Sequence, residues 1–278
     1  MPMSIFCNNI DSMSQNFDSL YTQLSVINNK FDFIALAETN ILEEHKGLYK
    51  IPGYLSHFNS KFYDKHKGSG LGIYFKEGFV TDLIKEFTIS TADIESLFIK
   101  ICNSNQPLTI GIIYRPPSGN IENFYNQFEK ILNKLPSNEK GCSNIICGDF
   151  NINLLKNESK KSKFENIFYG NCFIPTISLP THEKPGCEPS CIDNIFISDI
   201  NNVIASGILH EIKVSHHYPN ICFYDVQIEN NGDYKKSMPQ YDYCESNIIE
   251  FNDRLLKNLS LEKFSADEKG FNYFNQCI

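Results

Sequence analysis

The tetrapeptide Gly148-Asp149-Phe150-Asn151 directly follows an apolar run at 144–147, so a buried strand would deliver a carboxylate and an amide to its carboxyl end. Side chains two positions apart on extended backbone point the same way. A carboxylate that accepts a proton, beside an amide that donates to a developing oxyanion, is a pairing that hydrolysis of a phosphodiester needs. Asp and Asn are also common turn formers, and taken alone the tetrapeptide describes a loop cap equally well.

The same arrangement recurs elsewhere: Asn9 follows a run at 3–7, Glu38 a run at 33–37 and Tyr114 a run at 108–113, while His217 precedes Tyr218-Pro219. Singly, Glu38 would suit a helix N-terminus and Tyr114 an amphipathic core position. Polar residues gathered at strand ends from distant parts of the chain are, however, how an α/β sheet assembles a site on a rigid scaffold.

The elements that must position these residues follow from periodicity. Residues 3–7 read as a first strand, and Phe17, Leu20, Tyr21, Leu24 and Ile27 recur at helical spacing with Ser14 as N-cap. Residues 31–37 form a continuous apolar run interrupted only by Asp32, as expected of a central strand buried on both faces. Further strands are expected at 70–75, 94–101, 108–114, 144–147, 192–197, 203–209 and 221–228. Ile121, Phe124, Tyr125, Phe128, Ile131 and Leu132 mark a second amphipathic helix. Many strands with few helices imply two packed sheets flanked by helices. From about residue 230 a polar linker precedes another helical pattern at Ile248, Ile249, Phe251, Leu255 and Leu256, which divides the chain into 1–229 and an appendage, 230–278.

Composition sets limits on function. With 41% hydrophobic residues among 278, a sizeable core can be buried, and a formal net charge of -8 argues against a broadly basic nucleic-acid-coating protein. Lysines 61, 65 and 67, and Lys156, Lys160, Lys161 and Lys163, could supply a local basic rim or simply be solvated loop residues. The N-terminus has no charged region leading into an apolar run, so the ten cysteines are expected to be reduced. Cys187 and Cys191, with Cys172 nearby, lack a matching pair that would complete a zinc site. No apolar stretch reaches the roughly 18 residues of a membrane span.

The order Asn9-Ile10, Glu38-Thr39, Tyr114-Arg115-Pro116-Pro117, Gly148-Asp149-Phe150-Asn151, Ser190-Cys191-Ile192-Asp193 and Ser215-His216-His217-Tyr218-Pro219 resembles the motif series of the endonuclease/exonuclease/phosphatase superfamily. The Tyr-Arg-Pro-Pro form, with Pro180-Thr181 upstream of Ser190, is similar to the endonuclease domains of non-LTR (LINE-type) retrotransposons. The resemblance covers about residues 3–228. It implies a DNase I-like fold, a four-layer α/β sandwich of two packed mixed β-sheets flanked by helices, and a tail like the lead-in to a reverse transcriptase.

The roles it implies are specific. Glu38, with Asn9 nearby, would bind a hard cation, Mg2+ or alternatively Mn2+, through oxygen. Asp149 would orient or deprotonate the attacking water, Asn151 and Tyr114 would hydrogen-bond the phosphate, and Asp193 would hold His217 in its charged form. Ser190 and Arg115 would lie near the DNA backbone. The product would be a nick with a 3′-hydroxyl, made by an intracellular protein that is nuclear when it acts on chromosomal DNA.

One position departs from the pattern: the usual Ser-Asp-His reads Ser215-His216-His217. A histidine is a weaker magnesium ligand than a carboxylate and can carry positive charge. Reduced activity, a shift toward manganese, and a copy that no longer cuts all follow as readings. A catalytically silent nucleic-acid-binding module, or a phosphoesterase acting on a lipid or inositol phosphate, are the alternatives at the level of function.

Overall fold

The computed structural model describes residues 2–27, 31–60, 68–136 and 141–229. The lysines at 61, 65 and 67 and the linker and helical pattern expected at 230–278 lie outside them.

Thirteen strands and three α-helices alternate along the described chain: β1 (Met3–Asn9), α1 (Met13–Val26), β2 (Phe33–Ala37), β3 (Tyr54–Asn59), β4 (Leu71–Lys76), β5 (Thr81–Leu83), β6 (Ile89–Ser90), β7 (Glu95–Ile101), β8 (Leu108–Tyr114), α2 (Ile121–Leu132), β9 (Ser143–Asp149), α3 (Ser159–Gly170), β10 (Ile174–Pro175), β11 (Asp193–Ile197), β12 (Val203–Ile208) and β13 (Asn220–Tyr224). They form a six-stranded sheet in the order β12-β13-β1-β2-β4-β3 and a second sheet in the order β10-β11-β9-β8-β7-β5, with β6 beside β7. Both are mixed: β1 runs parallel to β2, and β8 to β9, while the other pairs are antiparallel.

Three apolar clusters show why the layers stack as they do. Met3, Ile5 and Cys7 of β1 meet Leu97, Ile110 and Ile145 between the sheets. The alternate positions Phe6, Ile34 and Tyr74 pack toward Met13 and Leu20 of α1. On the outer face of the second sheet, Phe98, Ile113, Ile146 and Phe196 pack against Phe124 and Phe128 of α2 and Phe164 and Phe168 of α3. Helix, sheet, sheet and helices therefore make four layers, and the inner strands are buried on both faces because each face has its own cluster.

The departures from the sequence-based expectation have local causes. Helix α3 was invisible as periodicity because only Phe164 and Phe168, one turn apart, are buried on it. Its lysines belong to a helix rather than a loop. Lys161 pairs with Glu165 at 3.7 Å and Lys163 with Glu122 of α2, while Lys156 reaches Glu188 at 3.4 Å. Strands β3, β5, β6 and β10 are short or only half-buried and carry little apolar signal. Helix α1 begins one residue after Ser12, and Ser14 lies within its first turn, its hydroxyl 2.9 Å from that of Ser12. The α2 N-terminus is capped by Asn120, whose side chain accepts from the Glu122 and Asn123 amides. Among the described residues Cys7, Cys147, Cys172, Cys187, Cys191 and Cys222 are free thiols, and no helix there is long and apolar enough to cross a membrane.

Candidate active site

Strand register collects the polar ends of five strands. Across the second sheet Tyr114 lies opposite Asp149 and Asp149 opposite Asp193, so three strand ends form one row on the face toward the other sheet. In the first sheet Asn9 ends β1 opposite Ala37, which places Glu38 one residue beyond, and His217 lies three residues before β13. A recess of about 670 Å³ lined by Met3, Asp32, Lys76 and Val226 sits at the opposite ends of the strands and takes no part in this constellation.

The tetrapeptide of β9 shows how the sequence enforces this locally. Phe150 is buried among Phe128, Phe164, Phe168 and Phe196, with ring centroids 5.1 Å from Phe164 and 5.3 Å from Phe196. This apolar peg turns the residues on either side of it toward the site. Asn151 and Glu38 hold left-handed backbone at φ 49° and 51°, unusual for residues with a Cβ and typical of positions whose geometry the surroundings impose.

Asn9 joins the two sheets. Its Nδ2 donates to Glu38 Oε1 at 2.7 Å and to Asp149 Oδ2 at 3.0 Å, while its Oδ1 accepts from the Asp11 amide at 3.1 Å. Both ends of the amide thus have defined partners, and Asn9 ties two carboxylates together rather than offering its oxygen to a cation. Asn151 fixes Asp149 through its backbone amide at 2.9 Å and its Nδ2 at 3.3 Å, and also donates to the Arg115 carbonyl at 2.9 Å.

On the other flank Asp193 accepts from His217 Nδ1 at 2.9 Å and from the Thr181 hydroxyl at 2.8 Å. Thr181, fully buried, in turn accepts from the Asp193 amide at 3.0 Å. The Ser215 hydroxyl accepts from the His217 amide and donates to the Asn9 carbonyl, which anchors the histidine loop to β1.

One expected substrate contact is placed differently. Arg115 is buried, and its guanidinium donates to the carbonyls of Phe150, Pro116 and Asn151 at 2.7, 3.1 and 2.9 Å, so it clamps the Asp149 loop instead of facing outward. The Ser190 hydroxyl lies 3.4 Å from His182 Nδ1. His216 is exposed, and its carbonyl accepts from the Glu183 amide.

The pattern reading missed His182, whose ring centroid is 4.6 Å from that of His217 and 6.3 Å from that of His216. Its only sequence signal was its place beside Thr181. It also missed Gly68, at φ 74°, where a Cβ would sit 2.4 Å from Glu38 Oε2 and 3.0 Å from the Tyr114 hydroxyl.

Electrostatics divide the site. Burial, then the charge of Asp193, push Asp149 up to about 7, against the opposing pull of His217 and the Asn9 donor, with Glu38 adding to the rise. Burial by itself would lower His217, but the charge and hydrogen bond of Asp193, with Asp149 and Glu38, outweigh it and raise the imidazole to about 9. Tyr114 is raised far above the ordinary phenol range by burial and the charges of Glu38 and Asp149, so it stays protonated as a donor. Burial and the charge of His217 lower His182 and keep it neutral.

A direct prediction follows. The His217 imidazole should titrate near pH 9 in an NMR pH series on the metal-free protein, and in Asp193→Asn it should fall below the usual histidine value, because burial is then largely unopposed. The folded pKa lies above the unfolded one, so the stabilisation from this pair is complete below about pH 6.5 and is lost as pH rises through about 9. An unshifted His217 in Asp193→Asn would show that the pair does not set its charge.

A divalent cation fits this arrangement. Glu38, Asp149 and Asp193 face a single imidazolium, and burial together with the charge of Asp193 drives Asp149 toward protonation. Gly68 leaves room against Glu38 that any larger residue would fill. Asp149, Asp193 and His217 also offer ligand atoms within 4.8 Å of one another. In that trio, however, His217 Nδ1 and Asp193 already satisfy each other, so the oxygens of Glu38 and Asp149 suit a hard cation better.

No protein-family profile matches the sequence, and no curated protein matches it. Solved structures do. The endonuclease domain of TRAS1, a telomere-specific non-LTR retrotransposon, superposes with a TM-score of 0.65 at 13% identity, covering 81% of this chain and 98% of that one. The AP endonuclease LMAP from Leishmania major gives 0.63 at 12% identity over 80% and 87% of the two chains. The D. rerio TDP2 complexed with single strand DNA product gives 0.58 at 16% identity over 80% and 98%. The chain has a DNase I-like α/β-sandwich fold, as the resemblance implied.

Proposed function

We propose that this chain is a divalent-metal-dependent DNA endonuclease that hydrolyses one phosphodiester and leaves a 3′-hydroxyl. The observation that carries the proposal is the convergence of Glu38, Tyr114, Asp149, Asp193 and His217, from both sheets, into one hydrogen-bonded constellation of opposed charge. The likeness to structures of a retrotransposon endonuclease and an AP endonuclease supports DNA as the substrate class. In this reading residues 1–229 are the catalytic domain and 230–278 a linker that leads toward a reverse transcriptase. The nick then primes reverse transcription on nuclear DNA.

Asp149, held by Asn9 and Asn151, orients the attacking water and takes its proton. As the water oxygen bonds to phosphorus, the P–O3′ bond breaks, and O3′ leaves with the bonding pair and takes a proton from solvent to become the 3′-hydroxyl. His217, bound through Nδ1 to Asp193, has Nε2 left as a charged donor to a phosphate oxygen, and the protonated Tyr114 is a second donor. Asn151 orients Asp149, and its longer contact, at 3.3 Å, is the one it can exchange for phosphate. Arg115 is a positioning residue beneath this loop. Glu38 and Asp149 would hold Mg2+, or Mn2+, which when bound supplies positive charge to the phosphate in the transition state.

The exposed His216 favours a second reading, a DNA-binding module silenced at this position. Supercoiled plasmid incubated with the protein in magnesium, manganese or chelator separates the two. Nicking that appears with either metal and vanishes with chelator is expected. In His216→Asp the added carboxylate should raise the magnesium-supported rate, by about tenfold. Absence of metal-dependent nicking from both proteins would exclude the endonuclease.

A further inference from the structure

The row Tyr114, Asp149, Asp193 has a fourth member that no motif identifies. Glu95, the first residue of β7, lies directly opposite Tyr114, so its side chain shares the face on which the site is built. It is 4% exposed, and a carboxylate at such a depth requires defined donors. Its Oε1 accepts from the Ser69 hydroxyl at 2.6 Å and its Oε2 from the Gly70 amide at 2.7 Å.

Those donors belong to the segment that abuts the proposed metal carboxylate. Gly68 lies against Glu38 Oε2 and the Tyr114 hydroxyl closely enough to exclude a Cβ. From the other side, the Thr39 amide donates to the Gly70 carbonyl at 3.0 Å and the Asn40 amide to the Ser69 carbonyl at 2.7 Å. Residues 68–70 are thus gripped by the backbone just after Glu38 in the first sheet and by Glu95 in the second.

We propose that Glu95 is a positioning residue for metal binding: by clamping Ser69 and Gly70 it seats Gly68 against Glu38 and fixes the carboxylate and the Tyr114 hydroxyl as a unit. This rests on the metal-site reading above. The action is indirect, since Glu95 reaches Glu38 only through the 68–70 backbone. Groups that orient a ligand without touching the metal commonly change its affinity by about 10- to 100-fold.

The test is direct Mn2+ binding by the full chain, read by electron paramagnetic resonance, alongside the metal concentration that half-saturates plasmid nicking. Glu95→Ala should weaken Mn2+ binding by about tenfold or more, whereas Glu95→Gln should stay within about threefold of the parent. Glutamine can accept from Gly70 and donate to Ser69 in the same place, so recovery by it separates geometry from charge. Gly68→Ala should weaken binding as well, because its Cβ would collide with Glu38 Oε2. If Glu95→Ala does not fold, Gly68→Ala and Ser69→Ala decide the matter.

Undiminished Mn2+ affinity in the folded variants, with only a lowered melting temperature, would overturn the proposal, as would a parent that binds no Mn2+. A parent that binds Mn2+ but cuts no DNA, with affinity still lost in Glu95→Ala, would sustain this inference while removing the endonuclease reading.

Discussion

Asp149→Asn should reduce metal-dependent nicking by about a thousandfold while leaving the protein folded. The substitution keeps the shape of the side chain and removes the proton acceptor. It has two opposing effects on stability. Asp149 receives the Asn151 amide on one oxygen and the Asn9 and Asn151 side-chain amides on the other, so an amide nitrogen there would meet donors on one side. Against that, burial already pushes the native carboxyl up to about 7, and a neutral group relieves this penalty. The unfolding free energy should therefore move by no more than about 2 kcal/mol. First-order decay of supercoiled plasmid at saturating metal, with circular dichroism on the same preparation, measures both quantities. A rate within tenfold of the parent would mean that another group takes the proton.

The same carboxyl predicts the direction of the acid limb. Asp149 must be ionised to accept a proton, so cutting should rise with pH through the neutral range. It should fall again as His217 loses its charge near pH 9. A cation bound beside Asp149 favours the ionised form and moves the acid limb lower.

Gly148→Ala is expected to have the largest effect on folding, costing more than about 4 kcal/mol and leaving little folded protein at 37 °C. Gly148 adopts φ 142°, which side chains rarely tolerate, and a Cβ there would lie 1.8 Å from the Ile113 carbonyl oxygen. Neither neighbour can withdraw. Gly148 is opposite Ile113 on one side and Asn194 on the other, in the interior of the second sheet. Two residues further on, Phe150 is locked in its aromatic cluster. Urea unfolding monitored by circular dichroism tests this, and a loss under about 1 kcal/mol would show that β8 and β9 do not approach so closely.

These two predictions also mark which parts of the protein were legible in its sequence. The central strands announced themselves because both faces of each are buried, which leaves an unbroken apolar run in any register. Their polar terminators, Asn9, Glu38, Tyr114 and Asp149, stood out against those runs, and with the motifs at 190–193 and 215–219 they carried the family resemblance that implied the fold. Short edge strands and α3 did not, because an element with one or two buried residues has no period to detect.

For the site, sequence supplied the chemical types and chain order but not the side-chain partners. Arg115 has the chemistry of a phosphate ligand, yet buried carbonyls around it draw its guanidinium inward. Asn9 has an oxygen suited to a cation, yet the Asp11 amide occupies it and turns the nitrogen toward the carboxylates. Glu95, Gly68 and His182 belong to no local pattern. They join the site only because two sheets, pairing residues as distant as Asn9 and Asp149 or Asp193 and His217, close over the same strand ends. What the sequence determined by itself was which strands are buried and which polar residues end them, since hydrophobic periodicity is local. Tertiary structure alone decided what those residues bond to, because hydrogen-bond partners and burial depend on groups far away in the chain.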